Sequence, residues 1–193
     1  MGDVEALIPG AQGRVLGALV RLDGPRTISE LARLADVSRD RAATIVDDLE
    51  QLGLVERRHA GRAHLVSLID EHPLTQSLRE IDRASERTID ALRASARKLE
   101  PAPSYMALYG SWARGEATAG SDLDVAVIAD AAHDLDALLA PLDAWSRFAR
   151  RVTGRNPSLV IADGPRKAKG ALWSSVRRDA IVLVDTPGVD DGP

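Results

Sequence analysis

The chain has 193 residues, a formal net charge of −4 and no cysteine, and 45% of it is hydrophobic. That length suits one large or two small domains with a packed core. Disulfides and thiolate metal centres are excluded, as is a protein coated in positive charge, although a local basic surface is not. In chain order, the first residues, Met1-Gly2-Asp3-Val4-Glu5, are acidic and unlike a signal peptide. No apolar run approaches the ~18–20 residues of a membrane span. These features predict a cytoplasmic protein with no membrane partner.

Residues 11–22 carry Val15, Leu16, Ala18, Leu19 and Leu22 at helical spacing, and Asp23-Gly24-Pro25 stops that helix. Thr27 caps a short second helix, with Glu30 at the spacing of a capping box and Ile28, Leu31 and Leu34 as apolar anchors. Asp36-Val37 turns the chain. Ser38 then caps a third helix through Ala42, Ile45, Val46, Leu49 and Leu52, which Gly53 ends. Residues 54–58 and 64–69 read as two strands around an Ala60-Gly61-Arg62 turn. Helices followed by a hairpin describe a winged helix-turn-helix.

The stretches Ile28-Ser29-Glu30-Leu31-Ala32, Val37-Ser38 and Leu49-Glu50-Gln51-Leu52-Gly53-Leu54-Val55 carry the resemblance. Over about sixty residues this segment resembles MarR- and ArsR-like bacterial regulators. The resemblance implies a third helix that enters the DNA major groove through its N-terminal half. Ser38, Arg39, Arg41 and Thr44 would face DNA, with Arg57, Arg58, Arg62 and His64 of the wing against phosphate or minor groove. The acids Asp40, Asp47 and Asp48 dilute this face, and a purely protein-binding winged helix is the competing reading.

After Asp70-Glu71-His72-Pro73, residues Leu74 to Leu99 read as one long helix with a stripe of Leu78, Ile81, Ile89, Leu92 and Leu99. A dimerisation helix, a rigid connector and the first helix of the next domain all fit this pattern. Pro101-Ala102-Pro103 breaks it.

The next stretch is the most informative. Leu108-Tyr109-Gly110-Ser111-Trp112-Ala113-Arg114-Gly115 precedes Ser121-Asp122-Leu123-Asp124-Val125-Ala126-Val127-Ile128. It reads as a strand, a Gly-Ser turn, and a strand with Asp122 and Asp124 on one side, roughly 6.5–7 Å apart at Cα. Leu123, Val125 and Val127 point the other way, into a core. Adjacent carboxylates repel unless a cation sits between them. Oxygen ligands of this kind suit Mg²⁺, which fills its shell with water and substrate phosphate. The Gly-Ser turn offers N–H groups and a hydroxyl to those phosphates.

These residues resemble the DNA polymerase β-like nucleotidyltransferase superfamily, and within it the minimal nucleotidyltransferase domains. The resemblance implies that Gly110 admits a nucleoside triphosphate, and that Ser111, Arg114 and Ser121 contact or frame it. Asp122 and Asp124 would be the catalytic pair, holding two Mg²⁺ ions, and a nucleoside monophosphate would be transferred with loss of pyrophosphate. Related domains modify a protein partner such as a toxin, or a small molecule. The family's third carboxylate has no match inside Ser158-Leu159-Val160-Ile161-Ala162. Asn156 and Ser158 stand near its place, and Asp163 either reaches inward or opens the Asp163-Gly164-Pro165 turn, the latter being favoured.

Residues 134–152 read as a helix with Leu135, Leu138, Leu139, Leu142, Trp145 and Val152 on its apolar side and Pro141 as a kink. Arg147, Arg150, Arg151 and Arg155 gather at its end, where they either complement the helix dipole or contact a ligand. A helix over 166–178, a strand over 180–184 and a disordered acidic tail follow. The expected fold is α+β: a winged helix-turn-helix (1–72), a connecting helix (73–103), a nucleotidyltransferase-like domain with a small mixed sheet flanked by helices (104–186), and a tail (187–193). The expected partners are DNA, a nucleotide, a protein acceptor or toxin, and a second copy of the chain as a homodimer. The expected function is a DNA-binding regulator fused to a Mg-dependent nucleotidyltransferase. The alternative is a regulator whose second domain is an inactive nucleotide sensor.

Overall fold

The computed structural model describes residues 3–61, 63–116, 120–130 and 135–186, the side chains of residues 60 and 63 excepted. Arg62 and the 187–193 tail lie outside the described residues. The chain divides into two compact units, Met1–Glu86 and Arg87–Pro193.

The first unit contains helices α1 (Asp3–Leu7), α2 (Ala11–Arg21), α3 (Ile28–Leu34), α4 (Arg39–Gln51) and α5 (Pro73–Asp82). Strands β1 (Arg26–Thr27), β2 (Val55–Ala60) and β3 (Ala63–Leu68) form an antiparallel sheet in the order β1-β3-β2. Local chemistry sets the helix starts. Thr27 Oγ1 accepts from Glu30 N at 3.2 Å, and the Glu30 carboxylate accepts from Thr27 N at 3.0 Å, a complete capping box. Ser38 Oγ accepts from Arg41 N at 3.2 Å and starts α4. Gly53, at φ +71°, ends it in the left-handed region. The core gathers Val15, Leu19, Leu31, Ile45, Val46, Leu49, Val55 and Val66. This is a winged helix-turn-helix.

Two sequence readings are corrected here. The hairpin pairs out to Ala60–Ala63, so the strands are longer and the turn tighter than expected. The segment expected as one helix from Leu74 to Leu99 is two, α5 and α6 (Ala84–Ala96), separated at Arg83 (φ −98°, ψ 7°). Between Ile81 and Ile89 the chain reads Asp82-Arg83-Ala84-Ser85-Glu86-Arg87-Thr88, with no apolar side chain larger than alanine, so no buried apolar residue enforces continuity. A distant residue then caps the new start: the Asp3 carboxylate accepts from Ser85 N at 2.7 Å.

The second unit holds a four-stranded mixed sheet in the order β6-β5-β4-β7. Its strands are β4 (Tyr105–Leu108), β5 (Leu123–Ile128), β6 (Pro157–Ala162) and β7 (Ile181–Asp185). β4 pairs antiparallel with β5 and β7, and β5 pairs parallel with β6. Helix α7 (Gly110–Ala113) lies between β4 and β5, and α8 (Leu135–Thr153) connects β5 to β6. One sheet face, with Met106, Leu108, Leu123, Val125 and Val127, packs on Leu92, Leu138, Leu142, Trp145 and Ala149. The opposite face, with Ala126 and Ala162, packs on Trp173 and Val176 of α9 (Ala171–Asp179). The helix expected over 166–178 is split into a 3-10 turn (Pro165–Lys167) and α9, because Gly170 at φ +97° interrupts it. Among the described residues, no helix is long and apolar enough to cross a membrane.

Candidate functional site

The acidic pair sits at the start of β5. Asp122 immediately precedes the strand and is exposed; Asp124 is inside it and half-buried. Leu123 and Val125 between and beyond them are fully buried on the other face, which fixes the direction of Asp124. The expected Gly-Ser turn is a single helical turn, α7, that leaves β4 after Tyr109. Gly110 adopts φ +75° at that junction. A Cβ built there falls well inside 3.0 Å of Asp124 Oδ2 and 3.2 Å from its Cγ. The Asp124 carboxylate therefore occupies the space that any side chain at 110 would need.

Sequence reasoning missed Tyr109. Its N–H donates to Asp124 O at 3.0 Å, which extends the β4–β5 ladder one pair past Leu108–Val125. Tyr109 thus stands opposite Asp124, and it packs with Ala126 and Trp173 on that face. Burial, and then the Asp124 charge, push its phenol above the usual tyrosine range. The signal available in the sequence was its place directly before Gly110.

The loop before β5 is braced from outside. Arg155 Nη1 donates to Ser121 O at 2.8 Å, so one member of the arginine cluster holds the residue beside Asp122. Arg147 instead pairs with Asp143 on its own helix, and Arg150 and Arg151 are exposed in the last turn of α8. Arg114, at the end of α7, pairs with Glu116 at 2.8 Å. Ser111 lies in α7, where its carbonyl accepts from Glu116 N at 2.8 Å.

The β5–β6 register decides the neighbourhood of the acids. Ser158 is the direct partner of Asp124, and Leu123 N donates to Asn156 O at 2.9 Å. Neutral residues therefore flank the pair on the next strand. Asp163 follows the opposite end of β6, roughly 16 Å along the strand from Ser158, and forms an ion pair with Lys167. Gly164 N closes the turn onto Ala162 O at 3.0 Å. Among the described residues, no three His, Cys, Asp or Glu side chains gather as a metal cage. The donor set is two carboxylates with an open remainder, which fits a hard divalent cation completed by water and phosphate. The glycine cradle under Asp124 fits the close approach such a ligand requires.

In the first unit, Arg39, Arg41 and Thr44 are exposed on the N-terminal half of α4, and among the described residues neither arginine pairs with a carboxylate. The Ser38 hydroxyl oxygen serves the cap, and Thr44 Oγ1 donates to Asp40 O at 3.0 Å. Arg57 turns inward: it pairs with Asp47 and with Glu50, the latter at 2.9 Å. That pairing neutralises acids that would otherwise oppose the α4 arginines. Arg58 pairs with Glu56 at 2.6 Å and is otherwise exposed.

Comparisons with known proteins agree with this division. Residues 8–64 match the family model described as MarR family, and residues 89–181 match the nucleotidyltransferase domain model. The chain joins a MarR-family winged helix to a nucleotidyltransferase domain. Among solved structures, a mutant of the toxin–antitoxin MntA-HpeT matches at 21% identity over 51% of this chain and 74% of that one, with a TM-score of 0.40. A toxin–antitoxin with AMP-PNP matches at 25% identity over 53% and 74%, TM-score 0.38. A MarR family transcriptional regulator from Silicibacter pomeroyi DSS-3 matches at 34% identity over 44% and 62%, TM-score 0.35. No curated protein is similar enough to match.

Proposed function

We propose that this chain is a DNA-binding transcriptional regulator whose nucleotidyltransferase domain binds a Mg²⁺–nucleoside triphosphate and transfers the nucleoside monophosphate to an acceptor hydroxyl. The observation that carries the proposal is the carboxylate of Asp124 lying over the Cα of Gly110. It leaves a bare backbone beside a paired acid, the arrangement a polyphosphate with its metal needs. Asp122 and Asp124 would hold the metal, and bound there it would neutralise phosphate charge and align the entering hydroxyl. Gly110 admits the phosphates, Ser111 offers a hydroxyl, and Arg155 keeps the Ser121–Asp122 loop in place. Arg39 and Arg41, free of carboxylate partners among the described residues, would contact DNA phosphate or base edges.

One observation favours a second reading, a nucleotide sensor without transfer. Ser158 stands beside Asp124 where a third carboxylate would accept the proton of the attacking hydroxyl, and Asp163 is held by Lys167 at the other end of β6. Pyrophosphate release separates the two. The transferase reading expects Mg²⁺-dependent release in the presence of acceptor protein or RNA, abolished by Asp124→Asn. Saturable triphosphate binding without any release selects the sensor. A gel shift with operator DNA tests the first unit.

A further inference from the structure

The geometry points to a transition-metal site on the wing, formed by His59 and His64. The two residues are direct cross-strand partners in the β2–β3 hairpin. Their ring centroids lie 4.3 Å apart with the planes inclined at 58°. Both side chains are exposed, and neither imidazole has a hydrogen-bond or ion-pair partner among the described residues. An ordinary surface histidine has no such neighbour. Here the register brings two imidazole rings together at the end of a hairpin.

The spacing suits chelation. Two imidazole nitrogens each about 2.0–2.1 Å from one ion place their ring centroids roughly 4.5–5.2 Å apart, from a right-angled to a tetrahedral arrangement. The rings need to separate by less than about 1 Å, and exposed rotamers at a hairpin tip allow that at little cost. The inclined planes also distinguish the pair from a parallel stack. Imidazole selects Zn²⁺, Cu²⁺ or Ni²⁺ over Mg²⁺ or Ca²⁺. With two protein ligands, the remaining positions belong to water or to an oxygen of a nearby anion.

Strand alternation gives the pair its setting. His59 shares a hairpin face with Val55, which is buried, and with Arg57, which reaches Asp47 and Glu50 of α4. A divalent ion there adds two positive charges to the wing. If the first unit binds DNA, the ion strengthens the attraction to phosphate and can itself accept a phosphate oxygen. Metal binding is independent of that reading.

The test is a Zn²⁺ titration of the full chain, followed by long-range ¹H–¹⁵N spectra of the four histidine rings. The Asp122→Asn, Asp124→Asn background keeps the second unit's carboxylates from competing. The ring signals of His59 and His64 are expected to move together and saturate at one equivalent, ahead of His72. Either His59→Gln or His64→Gln is expected to weaken Zn²⁺ binding at the surviving ring at least about tenfold, because the second donor supplies effective concentration. Both substitutions lie at exposed positions, and the wild-type titration is decisive on its own. Independent saturation of the two rings, or an affinity no better than that of His72, would overturn the proposal.

Discussion

Replacing Gly110 with alanine separates two contributions that the structure superimposes at one residue. The backbone there is at φ +75°, where an L side chain costs roughly 1–2 kcal/mol. The new methyl also meets Asp124 Oδ2 and lies 3.2 Å from Cγ, so the carboxylate must rotate off its rotamer, at about 0.5–1.5 kcal/mol. Together these destabilise the second unit by about 1.5–3.5 kcal/mol, a fall of roughly 6–28 °C in its melting temperature. The displaced carboxylate should also weaken Mg²⁺–triphosphate binding, by roughly 10–100-fold. Thermal melting of Gly110→Ala, Asp124→Ala and the double variant forms the assay. With the carboxylate removed, only the backbone strain remains, so Gly110→Ala should cost about 1 kcal/mol less in the Asp124→Ala background. An equal cost in both backgrounds would refute the contact.

Ser158→Asp places a third carboxylate beside Asp124 across adjacent parallel strands. Without Mg²⁺ it should lower stability by up to about 1 kcal/mol through like-charge repulsion, and with Mg²⁺ the loss should vanish and pyrophosphate release should rise; melting curves in the two conditions and a release assay read both effects. Thr27→Ala should cost about 1 kcal/mol by removing the α3 cap. Separately, hydrogen bonding to Thr27, the backbone N–H foremost, holds the Glu30 carboxyl below the usual glutamate range, so the stabilisation from that carboxylate is present above that range and is lost as pH falls through the lowered value. Thr27→Ala removes the hydroxyl's hydrogen bond to Glu30 but keeps the backbone N–H, so a melting series from neutral to acid pH should be only slightly flatter in that variant, whereas Glu30→Gln should remove this dependence. Arg39→Ala or Arg41→Ala should weaken operator binding and lower the salt slope by about 1 each, whereas Arg177→Ala should leave both unchanged in gel shifts across salt concentrations.

Features made by neighbours in the chain were legible in the sequence. The Thr27–Glu30 box, the Ser38 cap, the Gly53 stop and the alternation of Leu123, Val125 and Val127 all follow from local chemistry, and each element appears where those signals put it. Features made by distant residues were not. The break at Arg83 depends on Asp3, some eighty residues away, capping Ser85. The inward turn of Arg57 depends on Asp47 and Glu50 of another element. Tyr109 opposite Asp124, Ser158 beside it and His59 against His64 are consequences of strand register, which periodicity alone does not specify. The candidate site was thus readable as a motif along the chain, while its flanking strands and its supporting Arg155 required the fold.

Calorimetric titration of a nucleoside triphosphate into the full chain, with and without Mg²⁺, tests the acidic pair most directly. Saturable Mg²⁺-dependent binding by wild type, lost in the Asp122→Asn, Asp124→Asn double variant with its melting temperature maintained, is the predicted result. Binding of equal affinity in the double variant, or in the absence of divalent metal, would contradict a site built on those two carboxylates.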